Sequence, residues 1–312
     1  MKSILIREPG AFEIIEIHKS QPKDNEILIQ IKALSLCNQH DWKVKKGLYR
    51  DLKYLEYGVP GFPGHEGAGI VIEVGKDVKH FNIGDHVVMS GLGGPPLYSE
   101  FVTRKADQVV RADKHVPLEQ ITMSELIGCV HRACTKVPSY QGKSVTISGC
   151  GPGGLAALQL VRVFGANNIL AIDVRSERLI LAKELGADSV FNASDEDSII
   201  SLKNQGVDIV IECSGNKGAY RNAFEMAREA VVIFSYTEGT IEIPLWQMFD
   251  NELTIYNSKW LTVHDLQAVV DMITAGKIRT DKMISAKVSF DQYLDAVEMI
   301  GRGEVIKVIM AP

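Results

Sequence analysis

Four glycines that follow one apolar run constrain the fold of this chain more than any other feature. Gly149, Gly151, Gly153 and Gly154 come directly after Ser144-Val145-Thr146-Ile147-Ser148 and open a predicted helix. In a dinucleotide-binding βαβ unit, the first glycine permits a tight turn, the second lets the backbone approach a pyrophosphate, and the last lets helix and strand pack closely. The pattern predicts that phosphates lie at the N-terminus of this helix.

The chain beyond about residue 125 alternates between short runs of β-branched residues and helical segments. The predicted strands are 144–148, 169–173, 208–212 and 230–234, and the predicted helices after the first two strands are 153–164 and 178–185. Continuous apolar strands of this kind are typical of parallel sheets that helices cover on both faces. The predicted fold class of this part is therefore α/β, with a doubly wound parallel sheet.

An acidic residue at the end of the second strand bears on the cofactor. Asp173 lies where a carboxylate accepts hydrogen bonds from the ribose hydroxyls of an adenosine. Its charge repels the 2′-phosphate of NADP, so NAD is the predicted cofactor. Arg175 and Arg178 follow closely, and an arginine there can accommodate that phosphate. We predict that Arg178 contacts the cofactor. The alternative is that Asp173 only caps the next helix.

The N-terminal and C-terminal parts of the chain predict a β-rich lobe. The segment 26–32 alternates between polar and apolar residues, and 68–74 is a longer apolar run. The segment 84–89 is predicted to be a turn that leads into another strand. Two amphipathic helices, about 264–275 and 290–302, precede a final strand at 305–310. This strand most simply returns to the first lobe's sheet. The predicted domains are 1–127, a catalytic domain, 128–260, a nucleotide-binding domain, and 261–312, a return segment that completes the catalytic domain.

Cys37, His65 and Glu66 form a candidate metal site. A thiolate, an imidazole and a carboxylate together suit a zinc ion that keeps one position open for chemistry. Alone, such a cysteine is usually a small buried hydrophobe, and a lone histidine is rarely a ligand. Their joint presence in a chain with a dinucleotide signature favours a metal. His40 and Asp41 are candidates to orient the His65 ring.

Composition and charge exclude several classes of partner. The 312 residues are 46% hydrophobic and 23% charged, with a net charge of -5, so no basic field is available for nucleic acid or an anionic membrane. No segment approaches the roughly 20 apolar residues of a membrane span, and the N-terminal apolar run is too short for a signal peptide. The five cysteines are odd in number and scattered, which indicates reduced thiols and a cytoplasmic location.

Several of these motifs occur together in the order seen in one family. They are Cys37, the block Gly64-His65-Glu66-Gly67, Gly84-Asp85-His86-Val87, the glycines 149–154 and the segment 181–188. The chain resembles zinc-dependent medium-chain dehydrogenases over essentially its whole length, and is most similar to the sorbitol and threonine dehydrogenase branch. The resemblance implies a GroES-like β-rich catalytic domain beside a Rossmann domain, and a homodimer or homotetramer.

The resemblance leaves the third metal position open between two residues. Polyol dehydrogenases carry a glutamate there, and counting back without gaps from Gly142-Lys143-Ser144-Val145 places Glu125 on it. Alcohol dehydrogenases carry a cysteine, for which Cys129 is the competing candidate. Glu125 would either bind zinc or hold the water on the metal. The alternative for Cys129 is a buried helix residue.

The chain departs from the family pattern in two places. The stretch 90–98 has none of the four cysteines of a structural zinc site, so one catalytic zinc and no structural zinc are expected. Relatives usually have serine or threonine two residues after the first ligand, whereas this chain has Gln39, which cannot relay a proton by ionising. His40, or a water on the metal near Glu125, is expected to do so.

The implied reaction is the oxidation of a secondary alcohol to a ketone by hydride transfer to NAD. The expected substrate is a polyol, cyclitol or amino alcohol, and zinc would lower the pKa of its hydroxyl. Lys259 and Trp260 fall where sorbitol dehydrogenase has substrate contacts, although a subunit contact is the equal alternative. Two alternative functions remain. One is a metal-free, NADPH-dependent quinone or enone reductase of the same fold, and the other is a non-catalytic nucleotide-binding relative.

Overall fold

The structure, a computed structural model, describes residues 1–48 and 56–312 and divides them into two units. The first unit comprises Met1–Leu126, Leu266–Ala275 and Thr280–Pro312, and the second comprises Ile127–Asp265 and Gly276–Arg279. Residues 261–265 and 276–279 thus cluster with the second unit, whereas the predicted return segment begins at 261. The predicted domain boundaries stay a prediction.

The helices and strands are numbered in chain order. The strands are β1 Lys2–Glu8, β2 Ala11–Glu16, β3 Glu26–Ser35, β4 Glu66–Val74, β5 His86–Ser90, β6 Phe101–Lys105, β7 Val109–Arg111, β8 Ser144–Ser148, β9 Asn168–Asp173, β10 Ser189–Asn192, β11 Val207–Glu212, β12 Ala227–Ile233, β13 Thr254–Asn257, β14 Ile284–Ser289 and β15 Lys307–Ala311. The α-helices are α1 His40–Lys46, α2 Leu118–Ile121, α3 Ser124–Cys134, α4 Pro152–Val163, α5 Ser176–Glu184, α6 Glu196–Gln205, α7 Lys217–Met226, α8 Leu245–Asp250, α9 Val263–Thr274 and α10 Tyr293–Gly301. Among the described residues, no helix is long and apolar enough to cross a membrane.

The larger sheet of the first unit is built around β3. Its strand order is β14-β15-β3-β4-β5-β7, and β6 also pairs with β3. Both β4 and β15 run antiparallel to β3, with Leu34 opposite Gly67 and Ile309 opposite Ser35. The final strand therefore joins the sheet of the first lobe, as its sequence predicted. Isoleucine, leucine and valine side chains of these strands form one buried core, to which α10 adds its apolar face.

The second unit contains an all-parallel sheet with the order β10-β9-β8-β11-β12-β13. This is the strand order of a Rossmann fold, in which two βαβ halves begin at neighbouring central strands. The order reverses between β8 and β11, and ligands of such sheets bind at the carboxyl ends of those two strands. The predicted fold class, a GroES-like β-rich part with a Rossmann parallel sheet, is confirmed.

A buried arginine fixes the short loop that follows β5. Arg104 in β6 has no exposed surface, and its guanidinium donates hydrogen bonds to the carbonyl oxygens of Ser90, Pro95 and Thr103. Burial lowers the pKa of Arg104 to about 10, against the opposing charge of Glu26. The side chain is therefore still charged at neutral pH. Two of the three carbonyl groups that it satisfies, those of Ser90 and Pro95, belong to the stretch 90–98, which lacks the cysteines of a structural zinc site.

We expect Arg104→Met to lower the free energy of unfolding by about 2–4 kcal/mol, because three carbonyl oxygens lose their donor. Urea denaturation of the metal-free protein at pH 7 measures it. Arg302→Met is the matched control, since Arg302 pairs with Glu304 at an exposed site and should change stability by less than about 0.5 kcal/mol. Equal effects of the two substitutions would show that Arg104 does not fix the loop.

Candidate active site

The register of the first unit's sheet brings Cys37 and Glu66 together. Cys37 follows the end of β3, and Glu66 is the first residue of β4, which runs antiparallel to it. β15 pairs with the other edge of β3, also antiparallel. Its first residue, Lys307, lies just past the same end of β3. Three segments far apart in sequence thus meet at one end of the sheet.

The His65 imidazole completes a group of three candidate metal ligands. One ligand atom each from Cys37, His65 and Glu66 lies within 4.8 Å of the other two. The His65 Nδ1 lies 2.9 Å from the Pro63 carbonyl oxygen, which can only accept, so Nδ1 is the donor there and Nε2 is the ring nitrogen left to bind a metal. Nε2 lies 4.0 Å from Glu66 Oε1.

These three donors fit a zinc ion. Bonds of about 2.0–2.3 Å in tetrahedral geometry place ligand atoms about 3.5 Å apart, so small side-chain rotations suffice here. Burial disfavours a charge on His65, but its hydrogen bond to Cys37 and the charges of Cys37, Glu125 and Glu66 raise its pKa well above the usual value. Surroundings that favour a proton on this ring also favour a metal cation in its place.

A buried lysine that was not among the predicted site residues holds Glu66. The Lys307 ammonium lies 2.8 Å from Glu66 Oε2 and 3.1 Å from Oε1, and it donates to the Leu36 carbonyl oxygen at 2.6 Å. Both side chains are 1% exposed. A single lysine inside the apolar run 305–310 was the available signal, because a charge flanked by apolar strand residues needs a buried partner.

The two candidates for the third metal position both lie on α3. Glu125 is buried in the first turn of the helix, and its charge acts on His65, yet it is not part of the group of three. Cys129 lies four residues further along the same helix, is partly buried and is also outside that group. The role of either residue stays a prediction.

His40 packs directly against the candidate ligands. Its ring meets the His65 ring edge-on, with centroids 5.3 Å apart, and its backbone N–H points to Cys37 Sγ at 3.4 Å. Burial, together with His65 and Lys43, lowers the pKa of His40 to about 3. The imidazole is therefore neutral near pH 7. In a proton relay it would have to accept a proton on one ring nitrogen while it gives up the proton on the other. Gln39 is exposed at the start of α1.

The expectation that Asp41 orients His65 is wrong. The Pro63 carbonyl bonds the ring, whereas the Asp41 carboxylate accepts from the Cys37 backbone N–H at 2.8 Å and from two tyrosine hydroxyls. Burial raises the pKa of Asp41, while the charge of His65 and the three donors oppose that shift. The sequence could not show these partners, because both tyrosines are distant along the chain.

In the second unit, the glycine run has the geometry that its sequence predicted. Gly149 has a φ of 93°, and a Cβ there would lie 2.8 Å from Ser214 atoms. A Cβ on Gly154 would lie 1.8 Å from the Gly149 oxygen, so helix and strand pack too closely for any side chain. A Cβ on Gly151 would meet nothing within 4 Å, which leaves open space at the start of α4.

Asp173 ends β9 beside this turn, but its carboxylate already has protein partners. It accepts the Cys150 N–H at 2.7 Å and the Arg175 N–H at 2.9 Å, and the Arg178 guanidinium lies 3.9 Å away. A carboxylate has about four acceptor sites, so capacity for ribose hydroxyls remains. The same carboxylate thus fixes the glycine turn, and its contact with an adenosine ribose stays a prediction.

Glu212 is a second carboxylate at this edge and was not among the predicted site residues. It ends β11, is fully buried, and accepts hydrogen bonds from the Ser214 and Gly215 N–H groups and from the hydroxyls of Ser214 and Ser235. These bonds hold the turn at 214 against Gly149. The signal in the sequence was an acidic residue at the end of the apolar strand 208–212.

Lys259 and Trp260, the predicted substrate contacts, lie just after β13. The Lys259 ammonium is 4.2 Å from the centre of the Trp260 ring, and Arg132 donates to the Lys259 carbonyl oxygen. Trp260 is 53% exposed and has a φ of 59°, which is strained for an aromatic residue. Strain of this kind often marks a functional segment. Their role toward a substrate stays a prediction.

Two family models match this chain. Residues 23–114 match the alcohol dehydrogenase GroES-like domain, and residues 152–275 match the zinc-binding dehydrogenase domain. The first match contains the candidate ligands Cys37, His65 and Glu66, and the second begins inside the glycine run.

Similar proteins cover nearly the whole chain. An alcohol dehydrogenase from Geobacillus stearothermophilus is 28% identical, covering 89% of this chain and 90% of that protein, and an L-threonine 3-dehydrogenase from Pyrococcus horikoshii is 26% identical, covering 99% and 98%. The crystal structure of 2R,3R-butanediol dehydrogenase from Bacillus subtilis has the same fold, with a TM-score of 0.88 at 22% identity, covering 100% of this chain and 99% of that one. The resemblance is confirmed, and the chain belongs to the zinc-type medium-chain alcohol dehydrogenase family.

Proposed function

We propose that this protein is a zinc- and NAD-dependent dehydrogenase that oxidises a secondary alcohol of a polyol, cyclitol or amino alcohol to a ketone. The observation that carries the proposal is the group of Cys37, His65 and Glu66, whose ligand atoms lie within 4.8 Å of one another. The group occurs in a chain of the alcohol dehydrogenase family that also has the glycine turn of a dinucleotide site.

In the proposed reaction, Cys37, His65 and one glutamate hold the metal. Zinc bound there would act as a Lewis acid toward the substrate oxygen. Lys307 partly neutralises Glu66, so Glu125 is the carboxylate we expect to act at the metal, directly or through a water. The glycine turn and Asp173 would hold the dinucleotide that accepts the hydride.

The donor set argues against the two alternative functions. Metal-free quinone reductases of this fold lack the cysteine and the His-Glu pair, whereas this chain brings all three side chains to one place. A non-catalytic nucleotide-binding protein has no use for a buried Glu66–Lys307 pair beside a thiol. Burying an ion pair is costly because both charges lose their hydration, so its occurrence at a ligand cluster supports chemistry there.

The substrate class rests on the relatives and on the segment after β13. Two of the similar proteins are named for L-threonine and for butanediol, both of which carry a second polar group beside the hydroxyl. Lys259 and Trp260 would contact such a group with a cation and an indole N–H. A panel of polyols, cyclitols, amino alcohols and simple primary alcohols, followed by NADH absorbance, tests the class. Faster turnover of primary alcohols would contradict it.

Cys37→Ser should remove most bound zinc and lower turnover by more than about 100-fold, because the soft thiolate and the Lewis acid are lost together. Zinc content is measured by elemental analysis and turnover by NADH formation. Cys129→Ser is the matched control, because it makes the same change on α3 outside the group of three, and both quantities should stay near wild type. Full zinc and turnover in Cys37→Ser would disprove the proposed site. Zinc loss in Cys129→Ser would make Cys129 a ligand.

Asp173→Asn should raise the ratio of kcat/KM for NADP over NAD by about 10-fold, since the charge that repels a 2′-phosphate is removed while Arg175 and Arg178 remain. Steady-state kinetics with both cofactors measures the ratio. Asp188→Asn is the control. Asp188, like Asp173, accepts a backbone N–H, here that of Ile169 in β9, and removal of its charge should leave the ratio unchanged. A wild-type preference for NADP would refute the proposed cofactor.

We also propose that the protein is cytoplasmic and assembles as a homodimer or homotetramer. All five cysteines are free thiols, which suits a reducing compartment. Leu245, Trp246 and Phe249 on α8 are 75%, 72% and 76% exposed, and large exposed apolar groups of this kind often mark protein contacts.

Sedimentation velocity should therefore give two or four chains per particle, and Phe249→Ser should shift the particles toward smaller species by removing apolar contact area. Ile180→Ser, at an apolar side chain that is 63% exposed on α5, serves as the control. A monomeric wild-type protein at micromolar concentration would contradict the proposed assembly.

A further inference from the structure

One buried aspartate, Asp41, fixes the backbone of Cys37 through hydrogen bonds. The Cys37 backbone N–H donates to Asp41 Oδ2 at 2.8 Å, and the Asp41 N–H donates to the Cys37 carbonyl oxygen at 3.1 Å. These two reciprocal bonds close the turn between β3 and α1. Because the thiol is attached to the residue whose N–H is held, the position of the Asp41 carboxylate determines where Cys37 lies relative to His65 and Glu66.

Two buried tyrosines anchor that carboxylate. The Tyr98 hydroxyl lies 3.0 Å from both Asp41 oxygens, and the Tyr293 hydroxyl lies 2.8 Å from Oδ1. All three side chains are completely buried. Burial and the Asp41 charge raise the pKa of Tyr98 and of Tyr293 well above the usual value, so both hydroxyls keep their protons and act as donors.

The two anchors come from separate parts of the fold. Tyr98 lies in the loop between β5 and β6, whereas Tyr293 is the first residue of α10, 252 residues after Asp41. The Tyr293 ring also stacks on Phe12 and meets the Tyr98 ring edge-on, with centroid distances of 5.4 and 5.7 Å. Packing fixes both rings, so their hydroxyls cannot follow a carboxylate that moves.

We propose that Tyr98 and Tyr293 are positioning residues that act through Asp41 to hold Cys37 in its metal-binding position. Neither tyrosine touches the metal or the substrate. This inference rests on the proposed function, because positioning Cys37 matters only where Cys37 binds a metal. It adds that the zinc affinity of this chain depends on a residue of its C-terminal helix.

The test uses Tyr293→Phe, which removes one hydroxyl and keeps the ring stacked on Phe12. The zinc affinity of the full-length protein, measured by competition with a chromogenic chelator, should fall about 10-fold, as is common when an outer-shell partner of a ligand is lost. Asp41→Asn, which keeps the size but not the charge, should lower it at least as much. Tyr293→Phe should add little when Asp41→Asn is already present, because both act through one carboxylate.

A second readout does not need the metal. In the metal-free protein, amide hydrogen exchange of a peptide that contains Cys37 should become faster in Tyr293→Phe, in Tyr98→Phe and in Asp41→Asn, because the Cys37 N–H loses a fixed acceptor. Tyr140→Phe is the matched control. Tyr140 is also buried and donates its hydroxyl to the Cys134 carbonyl oxygen, but it lies in the second unit. The zinc affinity of the Tyr140→Phe protein and the amide hydrogen exchange of its Cys37 peptide should both match those of the wild type.

Two results would overturn the inference. One is a Tyr293→Phe protein that melts at a lower temperature yet keeps wild-type zinc affinity and Cys37 exchange, since the hydroxyl would then act on stability alone. The other is a Tyr293→Phe effect of full size in the Asp41→Asn background. A wild-type protein that binds no zinc would refute the proposed function separately, and the exchange measurement would still test the anchoring of Cys37.

Discussion

The antiparallel pairing of β3 with β4 on one side and β15 on the other is the constraint on which the candidate active site depends. It places the end of β3 beside the starts of two strands that are distant in sequence. Cys37, Glu66 and Lys307 meet there for that reason. A one-residue slip of either partner would turn its side chains to the other face, so the apolar pattern that sets the register also sets the site.

Buried charge is the second organising feature, and the buried charges of Glu66 and Asp41 each have partners. Lys307 offsets Glu66, whereas Asp41 has three neutral donors. An unpaired charge in such surroundings would cost several kcal/mol, so removing either member of one of these interactions would destabilise the fold. The negative groups around His65 raise its pKa and make the site attractive to a divalent cation when the ring loses its proton.

Local patterns predicted much of the fold and part of the site. The glycine turn, the parallel strands and the final return strand follow from short-range periodicity and turn chemistry, so they were recognisable from neighbouring residues. The role of Asp41 was predicted wrongly, because its hydrogen-bond partners include Tyr98 and Tyr293. Lys307 and Glu212 were missed for the same reason, since a charged residue at a strand end shows its purpose only beside its partner.

The sequence by itself determined the fold class, the family, the dinucleotide turn and the identity of the candidate ligands Cys37, His65 and Glu66, because residue type and spacing along the chain encode these features. Only the tertiary structure decided which side chains stand behind those ligands. Asp41 holds Cys37, Pro63 orients His65, and Lys307 pairs with Glu66. The Lys307–Glu66 pair and the two tyrosines that anchor Asp41 depend on strand register and on the packing of distant segments, and no local pattern records them.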